Sequence, residues 1–408
     1  MNMNITPVNH SNGHRLSAWP LDPSSRAKSR APVPPASKFT GRNIETITIL
    51  ALVAIFLAGN LTASDKSQNS GGKQSTVITV LPNGSDDTEN LQKAFDDAVA
   101  AGPGTTVRLV KGIYHTGQIV VNDFRGSFLG AGSQRTVLVN LPNLNVMPEN
   151  MYYNPPSADN PWPSLVAFVG GNFQVSDLAI HITGPAPTTG WSIFGLPTMC
   201  EMAHAFVILG DRANAVFARV DIAGEPAERT LTGYNLINGI VFEGFIGEVS
   251  PPISGSFVVR DSTLQHLGSG TPIANVSDAS ILISGNRAKD VLLGMDMDGL
   301  FNLTYEFSFN TVEGVFGIDL YDEGEGGVTS SSKMLIRNNV FSGPNGVFLD
   351  ETFAGGTHCE VVANNFQKVT GTGVYLGPGT SHCIVAGNTQ ATIVNLGTHN
   401  VIANAGPK

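Results

Sequence analysis

The chain has 408 residues, only 14% of them charged, and its formal net charge at pH 7 is −10. This acidic balance, with no long basic run in the body of the chain, argues against nucleic acid or an anionic membrane surface as a partner. Three cysteines are too few for a disulfide framework, and 46 glycines with few charges predict short strands joined by tight turns.

Composition divides the first 75 residues into three parts. Residues 1–43 are rich in Pro, Ser and Asn without a hydrophobic period, which predicts a disordered basic leader. Residues 44–62 are mostly apolar, with Glu45 and a few Thr, Asn and Gly residues as exceptions, and they follow basic residues. They are either a signal peptide cut near Ala63 or Ser64, or an uncleaved membrane anchor; a buried core helix is the third alternative. Residues 63–75 read as a polar linker.

The folded domain is expected over residues 76–408, and it opens with a helix signal. Asp86, Asp87 or Thr88 can cap a helix, and an apolar stripe at helical spacing follows. The stripe comprises Leu91, Ala94, Phe95, Ala98 and Val99. The segment "AGPG" then ends the helix, and "TTVRLV" and "GIYHTGQIVV" continue as strands.

This opening resembles the N-terminal cap of the pectate-lyase-like superfamily of right-handed parallel β-helix proteins. The shared features are an acidic-Asp-Thr cap, a short amphipathic helix, a Gly-rich turn, a strand and Gly-x-Tyr; "GSFLGAGSQRTVLVN" resembles the next coil. The resemblance implies an all-β solenoid whose open N-terminal end is covered by the helix. The superfamily hosts many activities, so the resemblance does not specify a function.

Five segments in the C-terminal half repeat a short apolar strand, an Asn and a second strand that contains Gly. The aligned asparagines recur every 23 to 29 residues, a period typical of solenoids, and they are Asn286, Asn310, Asn339, Asn365 and Asn388. We interpret them as turn residues, because Asn tolerates the left-handed conformation and its amide can bond to the next coil. In earlier coils Asp177, Asp221 and Asp261 lie near the turn position, and insertions span 140–164, 185–204 and 224–238.

Strand alternation predicts which side chains of the second strands face outward. Aligned on their glycines, these strands should point the following residues into the core: Met295, Met297, Ile318, Leu320, Val347, Leu349, Val374 and Leu376. The outward residues should form two columns: first Asp296, Asp319, Phe348 and Tyr375, then Asp298, Tyr321 and Asp350. Because coils stack about 4.8 Å apart, Asp296 and Asp319 should be separated by about 5 Å, and Asp298 and Asp319 by about 8 Å.

Three interpretations of this acidic face remain open. Neighbouring carboxylates raise one another's pKa, so they are found where an acid must hold a proton or where a cation binds. The longer separation suits an inverting glycoside hydrolase, and the shorter one suits calcium or a shared proton. The third interpretation is a solvated acidic surface without a function.

If the acidic face has a function, its residues are assigned the following roles. The candidate catalytic residues are Asp296, Asp298 and Asp319, and the candidate substrate-binding residues are Tyr321, Phe348, Asp350 and Tyr375. A calcium ion could bind at Asp319, Asp322 and Glu323; no other cofactor is required.

The function favoured by the sequence is an exported protein that acts on a polysaccharide, by hydrolysis, lyase elimination or epimerisation. The alternative is a non-catalytic β-helix that binds glycan or forms a surface structure. The motifs of the polygalacturonase-like branch are absent, and a pectate-lyase-like mechanism would need a base such as Arg260, Lys289, Lys333 or Arg337 beside the acids. We expect a monomer that is secreted or periplasmic, or else anchored by residues 44–62 with the β-helix outside the cytoplasm.

Histidines and cysteines form another pattern near the C-terminus. The segments "THCEVVAN", "SHCIVAGN" and "THNVIAN" align, which predicts a column of His358, His382 and His399, with Cys359 beside Cys383. The column could bind a metal, or it could be a by-product of coil repetition, and the two cysteines could form a disulfide. His266 is of interest because it precedes Asp296 by one or two coils.

Overall fold

The computed structural model describes residues 76–141, 164–183, 191–193, 196–198, 203–210, 212–224, 237–243, 253–320, 332–349 and 358–403. The predicted leader, apolar segment and linker lie outside these ranges. In the part of the chain that is described, no helix is long and apolar enough to cross a membrane.

Strands dominate the described residues. The helix is α1 (Thr88–Ala101), and the strands are β1 (Val77–Val80), β2 (Thr105–Leu109), β3 (Gly112–Thr116), β4 (Ile119–Asn122), β5 (Gly126–Leu129), β6 (Thr136–Asn140), β7 (Ser164–Val169), β8 (Asn172–His181), β9 (Trp191–Ile193), β10 (Leu196–Thr198), β11 (Ala203–Leu209), β12 (Ala213–Ala223), β13 (Ile237–Glu243), β14 (Ile253–Arg260), β15 (Thr263–Ser284), β16 (Arg287–Phe301), β17 (Thr304–Ser308), β18 (Thr311–Leu320), β19 (Lys333–Arg337), β20 (Val340–Gly343), β21 (Val347–Leu349), β22 (His358–Val362), β23 (Asn365–Val369), β24 (Val374–Leu376), β25 (Ile384–Ala386), β26 (Ile393–Asn395) and β27 (Val401–Ala403).

The fold is a right-handed parallel β-helix, as predicted. Among the described pairings all are parallel except the hairpin β9–β10, which lies in the second predicted insertion. Three sheets run along the solenoid. In each sheet, successive strands of the following orders are hydrogen-bonded neighbours. Sheet A contains β1, β2, β5, β8, β12, β14, β15, β17, β19, β22, β25 and β27, and sheet B contains β3, β6, β8, β12, β15, β16, β18, β20 and β23. Sheet C contains β4, β7, β11, β13, β15, β16, β18, β21, β24 and β26. Long strands such as β15 bend from one sheet into the next.

The core consists of the inward columns of these sheets. In sheet C, Met295 pairs with Ile318, Ile318 with Val347 and Val347 with Val374, and all four side chains are buried. All eight residues that the sequence predicted to point inward belong to one continuous hydrophobic core. The predicted alternation of sheet C is therefore confirmed.

Helix α1 closes the N-terminal end of this core. Leu91, Ala94, Phe95 and Ala98 are buried, whereas Val99 is 39% exposed, so its assignment to the buried stripe was wrong. The ring of Phe95 lies 5.4 Å from that of Phe124, 5.0 Å from Phe128 and 5.9 Å from Phe168, measured between centroids. The helix thus buries an aromatic side chain among rings from the first coils.

The helix also satisfies backbone groups on the free edge of β4. The side-chain amide of Gln92 donates to the carbonyl of Val120 (2.8 Å) and accepts from its N–H (3.1 Å). The hydroxyl of Thr88 accepts a hydrogen bond from the N–H of Gly117 (2.7 Å). Because these contacts occupy groups that could pair with another strand, α1 protects the edge as well as the core.

The predicted asparagine column forms a continuous ladder with one correction. The side-chain amide of Asn310 donates to that of Asn339 (3.2 Å), and Asn339 donates in the same way to Asn364 (2.9 Å). Asn286 and Asn388 extend the ladder at its two ends. The ladder position in the fourth coil is Asn364, and the predicted Asn365 was wrong by one residue; Asn365 instead accepts from the N–H of Gln367 (2.9 Å).

The left-handed conformation occurs one residue before the ladder, which corrects our interpretation of the asparagines. The residues with positive φ at this turn, here called the A–B turn column, are Asp177, Arg219, Asp261, Gly285, Phe309, Asn338, Ala363 and Gly387. The ladder asparagines are instead selected for hydrogen bonding between buried coils.

The predicted Asp221 is not a turn residue. It pairs with Thr263 inside a strand, and Arg219 occupies the turn position. The guanidinium of Arg219 lies 2.7 Å from the carboxylate of Asp177, and this hydrogen-bonded pair lowers the pKa of Asp177. The turns at Asp177 and Arg219 are therefore joined by an ion pair.

Cys359 and Cys383 form a disulfide between adjacent coils, with their Cα atoms 4.5 Å apart. Both side chains are buried in the core. Beside them, the exposed rings of His382 and His399 stack at 5.3 Å, which confirms this pair of the predicted histidine column. The stacking of His358 stays a prediction. In the described residues no group of three metal-ligating side chains has the geometry to hold a metal ion.

Reduction of this disulfide should lower the melting temperature. The cysteines are 24 residues apart, and loop-closure entropy predicts a stabilisation of about 3.5 kcal/mol from a cross-link of that span. Thermal unfolding with and without dithiothreitol measures the effect. A Cys359→Ala/Cys383→Ala double variant is the control and should not respond to the reductant; an unchanged melting temperature in the reduced native chain would contradict the prediction.

Candidate functional site

The strand register of sheet C brings the predicted first column together. Asp296 pairs with Asp319, Asp319 with Phe348, and Phe348 with Tyr375. Asp298 follows in the same strand as Asp296 and pairs with Ala274. The remaining predicted site residues, Tyr321, Asp322, Glu323 and Asp350, lie outside the described residues.

A column of glycines explains why this part of sheet C repeats so regularly. A Cβ added at Gly294 would lie 2.5 Å from the carbonyl oxygen of Gly317, and one at Gly317 would lie 2.8 Å from that of Gly346. At Gly346 the added atom would lie 2.3 Å from the carbonyl oxygen of Gly373. Only glycine allows the coils to approach this closely at the corner between sheets B and C. The corner fixes the alternation of the residues that follow, which turns Asp319 outward.

Asp319 lies on the outer face of sheet C but is only 2% exposed. Its strand neighbours Ile318 and Leu320 point into the core, so alternation along the strand turns Asp319 to the opposite, outer face. A solvated surface carboxylate would be largely exposed, so that interpretation does not describe Asp319. A buried carboxylate is costly unless its surroundings compensate, and such residues concentrate at functional sites.

Aromatic rings continue the column beyond Asp319. The rings of Phe348 and Tyr375 stack at 5.1 Å with an interplanar angle of 15°, and Phe316 meets Phe348 edge-on, also at 5.1 Å. Phe348 is 7% exposed, while Tyr375 is partly exposed. In this arrangement Tyr375 offers the accessible ring, and the burial of Phe348 favours a supporting position beneath it. Both substrate-binding roles stay predictions.

The outer face also contains buried residues that the sequence pattern did not single out. On earlier coils, Val207 and Val241 occupy the same column as Asp319, and with Leu209 they form a buried apolar cluster outside the core. His204, in a neighbouring column, pairs with Ser164 and Asn238 and is fully buried. Burial lowers the pKa of His204 to about 3, so the imidazole is neutral at pH 7.

Several residues that could have acted as a base lie elsewhere. Arg260, Lys333 and Arg337 belong to sheet A, where Arg337 pairs with Glu306 (3.0 Å). Lys289 belongs to sheet B. None of these four therefore lies in the column of Asp296 and Asp319.

His266 does not join the acidic column either. It lies just after the sheet B pairing of Gln265 with Lys289, where Nδ1 is 3.5 Å from the carboxylate of Asp290.

No family model matches the sequence, and no curated protein matches it. Among solved structures, the chain is similar to the A-module of the mannuronan C-5 epimerase AlgE6 from Azotobacter vinelandii (14% identity, 79% of this chain, 96% of that chain, TM-score 0.34). It is also similar to an alginate lyase from Paenibacillus sp. (12%, 80%, 99%, 0.46) and to the pectin methylesterase PemA from Erwinia chrysanthemi (13%, 80%, 91%, 0.30). At these identities and TM-scores the similarity concerns the fold alone.

Proposed function

We propose that this β-helix is a polysaccharide-processing enzyme whose reaction takes place on the outer face of sheet C, at Asp296, Asp298 and Asp319. The observation that carries the proposal is the burial of Asp319 at a position whose partners in the strand register are a second acid and an aromatic residue. Asp319 is 2% exposed, and its register neighbours are Asp296 on one coil and Phe348 on the next. A carboxyl group in such surroundings is suited to hold a proton.

Glycoside hydrolysis supplies a use for two unlike carboxyls. A protonated carboxyl donates its proton to the glycosidic oxygen, and an ionised carboxyl removes a proton from the attacking water. In our proposal Asp319 is the proton donor. Asp298, expected about 8 Å away on the diagonal, is the base. That separation leaves room for a water molecule, which gives an inverting reaction.

The stacked rings of Phe348 and Tyr375 support a sugar as the ligand. Tyr375 is partly exposed and its ring is braced by the stacked ring of Phe348. Aromatic rings present flat apolar faces at small entropic cost, which suits the faces of pyranose rings. We propose that Tyr375 holds a sugar unit adjacent to the one that reacts.

The net charge bears on the kind of polysaccharide. A chain with a formal charge of −10 repels a polyanion unless a cation intervenes. We therefore propose a neutral polysaccharide, or an acidic one bound with calcium at Asp319, Asp322 and Glu323. Export is proposed as well, since a disulfide between Cys359 and Cys383 suits an oxidising compartment.

Incubation with a panel of polysaccharides tests the proposal. The panel contains a neutral β-glucan, a xylan, alginate and pectin, each with and without a calcium chelator. We expect one member to yield new reducing ends or an unsaturated or epimerised product; an effect of the chelator only on the acidic members would support the calcium site. Binding to a member without turnover would indicate the non-catalytic alternative, and neither binding nor turnover would contradict the proposal.

A further inference from the structure

Phe309 combines two properties that are unusual for an aromatic residue. Its backbone is left-handed, with φ of 58°, and its side chain is 60% exposed. The left-handed region is costly for a residue as bulky as Phe, and burial gives no compensation here. In the other coils the same turn position carries smaller or polar side chains, such as Asp261 and Asn338.

The neighbours of Phe309 in the A–B turn column are known from the backbone hydrogen bonds. The N–H of Gly285 donates to Ser308 (3.1 Å), and the N–H of Phe309 donates to Arg337 (3.2 Å). Asp261, Gly285, Phe309 and Asn338 therefore lie on four successive coils. Their spacing is about 4.8 Å per coil, so Asp261 and Phe309 are about 10 Å apart along the axis.

Gly285 leaves a notch between Asp261 and Phe309. It has no side chain, and a Cβ added there would lie 3.0 Å from the Oδ1 atom of Asp261. The notch is bordered by an aromatic ring on one side and by an exposed carboxylate on the other, with the exposed amide of Asn338 one coil beyond the ring. A flat apolar face suits the face of a pyranose ring, and hydrogen-bonding groups about 5 to 10 Å away along the axis can meet the hydroxyl groups of that sugar and of the next unit of the chain.

We propose that Phe309, with Asp261 and Asn338, forms a surface subsite that binds one sugar ring of a polysaccharide chain. The subsite is distinct from the acidic column, because Phe309 lies at the corner between sheets A and B and Asp319 lies on sheet C. The class of ligand rests on the proposed function, but the subsite itself does not require that sheet C be catalytic. Its role would be to hold the polymer on the protein surface.

Affinity electrophoresis of the full chain tests the subsite. Native gels would contain the neutral β-glucan, the xylan, alginate or pectin, and the retardation of the native chain would be compared with that of Phe309→Asn and Phe309→Tyr. Asn tolerates the left-handed backbone but lacks a ring, and Tyr keeps the ring. We expect Phe309→Asn to weaken binding about threefold to tenfold, and Phe309→Tyr to retain it.

Two controls distinguish a loss of sugar binding at Phe309 from unfolding and from effects on sheet C. Phe309→Asn should have an equal or higher melting temperature, because Asn relieves the backbone strain, so loss of retardation cannot result from unfolding. Asp319→Asn should still be retarded, which keeps this test independent of the chemistry on sheet C. The proposal is overturned if no polysaccharide retards the native chain or if Phe309→Asn is retarded as strongly as the native chain. Sedimentation tests whether the exposed ring instead binds a second copy of this chain. Loss of self-association in Phe309→Asn without a change in retardation would also overturn the proposal.

Discussion

Replacing Phe95 by Asp should leave most molecules unfolded at room temperature. The aromatic side chain is 1% exposed and contacts three other rings, and deletion of such a side chain costs about 3–5 kcal/mol. Burial of a carboxylate in the same apolar site adds a desolvation cost of several kcal/mol. The total is comparable to the whole stability of a typical domain, about 5–15 kcal/mol. Urea unfolding followed by far-ultraviolet circular dichroism measures the loss.

Val99→Asp is the matched control for this prediction. It introduces the same charge on the same helix one turn later, at a side chain that is 39% exposed. We expect a change of about 0.5 kcal/mol or less, because exposed substitutions rarely have larger effects. Equal stability of Phe95→Asp and the native chain would show that α1 does not close the core.

The fold could be predicted from two periodicities in the sequence. Alternation of period two identified the eight inward residues that β16, β18, β21 and β24 contribute to sheet C, since one continuous core imposes the same pattern on each coil. The 23- to 29-residue period located the asparagine ladder. It failed in the fourth coil because Asn364 and Asn365 are adjacent, and the letters alone do not say which amide faces the core.

The local turn geometry was harder to predict. Asn is a common left-handed residue, so the sequence favoured the ladder asparagines for that conformation. The structure assigns it to the preceding position, which accepts residues as different as Ala363 and Phe309. Tertiary hydrogen bonding between coils therefore outweighs the local preference of the residue.

The candidate site could be predicted in part. The repeat alignment predicted which side chains share the outer column, because register depends only on the pairing of coils. It could not predict that Asp319 is buried, since exposure depends on contacts with segments distant in sequence. His204 was not recognised as a member of the outer face because the long insertions between the early coils obscure their alignment.

Asp319→Asn should abolish turnover while preserving the fold. The amide keeps the size of the side chain but cannot donate the proton that the reaction needs, and general acid catalysis typically contributes a factor of about 10² to 10⁴ in rate. An amide is neutral at every pH, so its burial costs no more than that of the carboxyl group it replaces, and the melting temperature should be equal or higher.

Glu360→Gln is the matched control for Asp319→Asn. It makes the same change from a carboxyl group to an amide, at an exposed residue of sheet A. Turnover by this variant should equal that of the native chain, because the long-range effect of one exposed charge is largely screened at physiological ionic strength. A loss of turnover shared by both variants would point to a nonspecific effect of the substitutions instead of a specific acid.

The most direct test of the account is therefore the turnover of the polysaccharide identified in the panel, measured for the native chain and for Asp319→Asn in preparations whose melting temperatures are also recorded. We predict a loss of at least about a hundredfold in turnover with no decrease in melting temperature. Turnover by Asp319→Asn equal to that of the native chain would contradict the assignment of the acidic column on sheet C as the reaction site.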